Sequence, residues 1–194
     1  MADPILISRL RCPECGHEED MESRLMRAYA DRMSLPVPPG MAEAALEWRE
    51  PVRSTSIARL AAERISRTHR QLQCIWTGQK LPLTRLDIDH CLPWAAWPCS
   101  DLWNLGPCDR KVNQHQKRDR LPSAAIFAAS RDRIISWWEA AYLADDALSA
   151  RFGREVAAAL PVGGCGDLAD IYSALDWRRL RLLQDQRVPE WTAV

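Results

Sequence analysis

The densest run of chemically capable side chains is Leu86-Asp87-Ile88-Asp89-His90-Cys91-Leu92-Pro93-Trp94. Two further runs follow: Asp101-Leu102-Trp103-Asn104-Leu105, and Asp109-Arg110-Lys111-Val112-Asn113-Gln114-His115-Gln116-Lys117-Arg118. A hard divalent cation takes oxygen ligands, keeps several waters and needs only one or two protein groups. Asp89 and the carboxamide of Asn113 suit that cation. A neutral imidazole is the side chain best placed near pH 7 to draw a proton from attacking water, which assigns that task to His90. A cation so held polarises a phosphoryl oxygen and stabilises the leaving oxygen. Lys117 would add positive charge beside the phosphate. The chemistry these residues predict is metal-dependent hydrolysis of a phosphodiester.

Local elements must bring these groups together. Leu86 and Ile88 alternate with acids as in a short strand, which turns Asp87 and Asp89 to one side and leaves His90 at the strand end before Pro93. The stretch from Asp109 to Asp119 lacks Gly and Pro and is predicted to be a helix, with Asp109, Asn113 and Lys117 on one face. His115 falls about 200° around that axis from Asn113, so the two are not expected to serve one site, and Asn113 is preferred because it shares a face with Lys117. Asp87 is expected to be a solvated strand residue. Arg110, Lys111, Lys117, Arg118 and Arg120 are read as a nucleic-acid-binding patch, the alternative being an exposed helix end where cations suit the dipole.

Asp89-His90-x-x-Pro93, Asn104-Leu105 and Asn113-x-x-x-Lys117, in this order, resemble the motif blocks of the HNH endonuclease family. Cys74-Ile75-Trp76-Thr77-Gly78-Gln79-Lys80-Leu81 resembles the family's lead-in, and Lys117 to Pro122 its closing residues. The likeness covers Cys74 to Pro122, roughly a quarter of the chain. It implies a ββα-metal core with Asp89 as metal ligand, His90 as general base and Asn113 as second ligand. Asn104 would hold the histidine loop in shape. The implied cofactor is one Mg²⁺ or Mn²⁺, and the implied substrate is DNA, with RNA open to the same chemistry. Restriction, phage defence or a mobile element is the setting such a likeness suggests, with a partner protein from that system. The rival reading is a non-cleaving binding or assembly module. Many relatives carry a structural zinc on two Cys-x-x-Cys pairs flanking the core. Here those positions read Cys74/Thr77 and Cys108/Lys111, so four thiolates are not available at tetrahedral spacing. The core is expected to lack that zinc and to be braced by Trp76, Trp94, Trp97 and Trp103.

A different cysteine pair, Cys12-x-x-Cys15, is followed by Gly16 and makes half of a zinc knuckle. Completing a structural Zn²⁺ site there would need Cys165, His17, His69 or a core cysteine, and unbound thiols are the alternative. Cys91, Cys99 and Cys108 read as packing residues. Lys plus Arg and Asp plus Glu both number 26, which excludes a uniformly basic coat and requires any nucleic-acid contact to be a local patch. No apolar run approaches the ~18 residues that would span a bilayer. The start, Met1-Ala2-Asp3-Pro4, has no apolar signal core, so no membrane association and a cytoplasmic location are expected.

The fold class predicted from these patterns is α+β, with the HNH-like core embedded between mainly helical N- and C-terminal segments. Residues 1–72 hold the Cys-x-x-Cys segment and helices, 73–122 the core, and 123–194 a C-terminal helical region. The expected N-terminal elements are a strand around Ile5 to Ile7 and helices over Glu18–Met33 and Met41–Arg49. A third helix, capped by Ser54 or Thr55, would bury Ile57, Leu60, Ala61 and Ile65. Beyond the core, helices are expected over Ser123–Ser130, Arg131–Leu143, Ala147–Leu160 and Leu168–Gln184. Trp137 and Trp138 read as core or partner-interface anchors, and Arg178, Arg179, Arg181 and Arg187 as a basic helical face.

Overall fold

The computed structural model describes residues 9–11, 18–20, 51–68, 71–162 and 167–192. Two compact units divide the chain, Met1–Glu50 and Pro51–Val194. Cys12, Cys15, His17, His69 and Cys165 lie outside the described residues, as do the helix expected over Met41–Arg49 and the strand around Ile5 to Ile7.

In the first unit, β1 (Arg9–Arg11) pairs antiparallel with β2 (Glu18–Asp20), with Arg9 opposite Asp20 and Arg11 opposite Glu18. The helix expected from Glu18 therefore does not start there. Backbone pairing with β1 claims the first three residues, and extended residues cannot also make helical hydrogen bonds.

The second unit opens with α1 (Ser56–Arg67), whose buried face is Ala58, Ala61, Ala62 and Ile65. These lie at i, i+3, i+4 and i+7, one stripe of a helix. Leu60, expected on that face, is 65% exposed because it falls outside the stripe. The small alanines let α1 approach its neighbours closely, and the Arg64 guanidinium donates to the carbonyl of Ala141 at 2.8 Å.

Next come β3 (Leu86–His90) and β4 (Leu105–Asp109), an antiparallel pair with Asp89 opposite Gly106 and His90 opposite Leu105. After a helical start at Arg110 and Lys111, a six-residue π-helical segment, Val112–Lys117, follows. The long helix expected from Asp109 to Asp119 is thus shorter and wider than predicted. Asp109 ends β4 instead of sharing a helical face with Asn113, and its carboxylate pairs with Arg85 at 3.3 Å. The chain then forms β5 (Leu121–Pro122), parallel to β6 (Glu190–Trp191) near the other end of the unit.

Helix α2 (Ala124–Trp138) is capped by Ser123, whose side chain accepts from the Ile126 N–H at 3.4 Å. It runs unbroken through Ser130, where two helices had been expected, because Ser130 is buried and its hydroxyl donates to the Ile126 carbonyl at 2.8 Å. A π-helical turn, Glu139–Leu143, continues it. Helix α3 (Asp146–Ala159) is capped by Asp145, and α4 (Leu168–Gln186) by an Asp167/Asp170 capping box. The expected basic face of α4 does not form. Arg179 is 1% exposed and bonds Asp176 at 2.6 Å and Glu190 at 3.3 Å, while Arg181 pairs with Asp185 at 2.8 Å.

Trp138, Tyr142 and Phe152 meet in the core, with Trp138 and Tyr142 wholly buried. Trp137 and Trp138 are therefore core residues. The Trp137 indole donates to the Leu105 carbonyl at 2.8 Å, and the Tyr142 hydroxyl to the same oxygen at 3.3 Å. In this way the C-terminal helices hold β4 from behind. Ile75 presses on the hairpin from another side: a Cβ built at Gly106 would lie 2.6 Å from the Ile75 Cδ1. Gly106→Ala is accordingly expected to destabilise the unit by about 1–3 kcal/mol through overpacking. A lowered urea midpoint at unchanged m-value would show it.

Candidate active site

One cleft of about 510 Å³ is lined by residues from α1's approach, β3, the loop after β3 and the π-helical segment, among them Asp87, Asp89, His90, Trp94 and Asn113. The structure thus brings the expected carboxylate, imidazole and carboxamide to one concavity. His115 does not line it.

His90 ends β3 and is 2% exposed. Its Nε2 is buried and has no hydrogen-bond partner. The Trp94 ring meets the imidazole edge-on at 5.5 Å between centroids. Burial first, then the positive charges of Arg53 and Lys117, lower its pKa from 6.5 to about 4, so the ring is neutral near pH 7. An uncharged imidazole with an idle nitrogen can accept a proton.

Asn104 is wholly buried. Its Oδ1 accepts from the Leu92 N–H at 2.7 Å, its Nδ2 donates to the Leu92 carbonyl at 3.3 Å, and its own carbonyl accepts from the Cys91 N–H at 2.7 Å. The two residues that follow His90 are thereby pinned to the start of β4. A carboxamide offers separate donor and acceptor atoms, so it can donate to and accept from one backbone residue at once.

Asp89 is 4% exposed and its carboxylate is already engaged. The Trp76 indole donates to Oδ2 at 2.7 Å, and the Lys117 ammonium lies 3.3 Å from Oδ1 and 3.2 Å from Oδ2. Lys117 also donates to the His90 carbonyl at 2.8 Å and sits 5.6 Å from the centre of the Trp76 ring. Burial pushes the Asp89 carboxyl above its usual range, against the pull of Lys117. Lys117 itself is 0% exposed. The expectation that it meets a phosphate is therefore corrected. The wide π-helical segment ends by directing this side chain inward to β3, where a buried carboxylate requires a cation.

Asn113 lies beside Asp87. Its Nδ2 donates to the Asp87 Oδ2 at 3.0 Å, and the Gln114 carboxamide donates to the same oxygen at 3.2 Å. Arg59 on α1 approaches the other oxygen at 3.6 Å. Asp87, expected to be a solvated strand residue, is instead a half-buried wall of the cleft. Its place on the same side of β3 as Asp89 was the available signal. Trp76 and Arg53 carried none, since their approach depends on how distant segments pack. Of the expected basic patch, Arg110, Lys111 and Arg118 are exposed, Arg120 is half-buried, and only Arg118 lines the cleft.

This ordered set of buried and lining side chains lies in a segment with a known counterpart. Residues 74–123 match the HNH endonuclease family model. No curated protein matches the chain. The HNH segment suggests nuclease activity on nucleic acid, and it spans the hairpin, the π-helical segment and β5. The Cys74 and Cys108 sulfurs are 3.8 Å apart, both buried. That neighbour lowers the Cys74 thiol to about 6 and raises Cys108, whereas burial pushes Cys91 and Cys99 up to about 12. Among the described residues no three His, Cys, Asp or Glu side chains gather as a metal cage. Around the HNH segment Trp76 and Trp103 are buried, and Trp94 and Trp97 half-buried. No described helix is long and apolar enough to cross a membrane.

Proposed function

We propose that this protein is a metal-dependent endonuclease of the ββα-metal type that hydrolyses phosphodiester bonds in DNA. The observation that carries this reading is the buried, unpartnered Nε2 of a neutral His90 in a cleft that also presents Asp87, Asp89 and Asn113. The donor chemistry fits a hard divalent cation, Mg²⁺ or Mn²⁺: carboxylate and carboxamide side chains line one cleft of about 510 Å³, with room for waters and substrate. Asn113 with Asp87 and Asp89 would hold it, and when bound it would polarise a phosphoryl oxygen and take up charge on the leaving oxygen.

The chain's own residues then have distinct tasks. His90 Nε2 accepts a proton from the attacking water as the water oxygen bonds to phosphorus and the bond to the leaving oxygen breaks. Asn104 holds the backbone after His90, and Trp94 packs against the imidazole, so the ring is oriented before substrate arrives. Lys117 and Trp76 fix Asp89 and the His90 carbonyl from behind. They are positioning residues.

The test is incubation of the full chain with plasmid, single-stranded DNA and RNA in Mg²⁺, in Mn²⁺ and in EDTA. Nicking of plasmid that requires metal and disappears on chelation is expected. RNA cleavage without DNA cleavage would redirect the substrate. Binding without cleavage in every metal would make the protein a non-cleaving module.

A further inference from the structure

Arg118 occupies a backbone position built for glycine. The residues Lys117 to Arg120 form a tight turn, closed by the Arg120 N–H donating to the Lys117 carbonyl at 3.2 Å. Arg118, at the first central place, has φ 53° and ψ −132°. These are the angles of a type II′ turn, where glycine is preferred because a Cβ is crowded there. The other non-glycine residue with positive φ among those described, Arg187, has ψ 36°, the ordinary left-handed conformation that closes a helix. Arg118 has no such excuse.

The neighbours enforce this conformation. Lys117 is buried against Asp89, and the Arg118 N–H donates to the Asn113 carbonyl at 2.8 Å, so the chain must reverse at once. The Arg120 guanidinium ties the turn down through the carbonyls of Gln116 and Lys117. A non-glycine side chain held in such a region points to a use for that side chain. The use follows from where it lies. Arg118 and Arg53 are the two Arg or Lys side chains lining the cleft, which also holds the acids Asp87, Asp89 and Asp119. Arg118 is exposed and forms no ion pair among the described residues. With Lys117 turned inward, its neighbour is the cation of this segment left at the cleft.

We propose that Arg118 binds a backbone phosphate of the substrate at this cleft, and that the strained turn persists because it sets the guanidinium there. The proposal rests on the nucleic-acid reading above. It concerns binding and not the chemical step, so the two can fail separately.

The experiment compares the full wild-type chain with Arg118→Gly and Arg118→Lys. Binding of a fluorescein-labelled DNA duplex and of a labelled single strand is followed by anisotropy in EDTA and in Ca²⁺, across a salt series, beside thermal unfolding. Arg118→Gly is expected to raise the melting midpoint by a few degrees, since glycine relieves the turn. It is also expected to weaken binding about tenfold and to make the plot of log K against log salt shallower by about 0.9, one phosphate contact. Arg118→Lys should keep the slope and recover part of the affinity. A raised midpoint with unchanged affinity and slope would overturn the proposal, as would a wild-type chain that binds neither probe. Arg118-dependent binding by a chain that cleaves nothing in Mg²⁺ or Mn²⁺ would uphold it while the nuclease reading falls.

Discussion

Lys117→Met is expected to destabilise the second unit by about 3–5 kcal/mol, the usual effect of stranding a buried charge. The substitution preserves most of the side-chain volume and removes only the cation. What remains is the Asp89 carboxylate, 5% exposed at its side chain and left without a cation, with the Trp76 indole still donating to it. The His90 carbonyl would also lose its donor at 2.8 Å. Urea unfolding measures the loss, and a second variant tells its origin. Lys117→Met combined with Asp89→Asn leaves no charge to be stranded, while the asparagine oxygen can still accept from Trp76. The double variant is expected to recover most of the stability. Equal losses in the single and double variants would show that the ion pair is not what the burial of Lys117 serves.

His90→Ala carries the largest expected effect on activity, a loss of about 10²–10⁴-fold in cleavage rate with the fold retained. It also has a signature in stability, to be read in EDTA. The folded imidazole titrates at about 4, below its ordinary 6.5. Between those values the unfolded chain binds a proton that the folded chain refuses. This contribution is therefore present above pH 6.5 and fades as pH falls towards 4. Wild type should lose about 2 kcal/mol more than His90→Ala between pH 7 and pH 5. Parallel urea titrations of the two chains at both pH values would check it. Coincident pH dependence would mean that His90 is not held neutral by its burial.

The two variants probe different levels of legibility. His90, Asn104 and Asn113 stood out in the sequence because their types are tied to chemistry and their order along the chain is distinctive. The structure then gathers Asp89, His90 and Asn113 on one cleft and binds Asn104 to the loop behind. Helix positions in the second unit were largely readable too, since periodic apolar residues act within a few residues of one another, although Thr55 precedes α1 without a side-chain cap bond. Lys117 was misread. Its spacing from Asn113 was apparent, and both residues do reach β3, Asn113 at Asp87 and Lys117 at Asp89. But whether a lysine faces solvent or a buried acid depends on what covers it, and Trp76, which flanks that acid, comes from 13 residues before Asp89.

The same distinction separates the rest. Arg178, Arg179, Arg181 and Arg187 looked alike as a basic stripe, yet Arg179 is buried by Asp176 and Glu190, and Arg178 stacks 4.5 Å from the Trp97 ring. Glu18 to Asp20 were counted into a helix by the helical spacing of the apolar residues that follow them, and a partner strand overrode it. By itself the sequence determined which chemical groups the site contains and the order in which they arrive, because identity and spacing are local properties. Which charges are neutralised by a partner and which of the basic residues line the cleft were decided by tertiary structure. Burial and pairing are made by residues far apart in the chain, and no local window contains both partners.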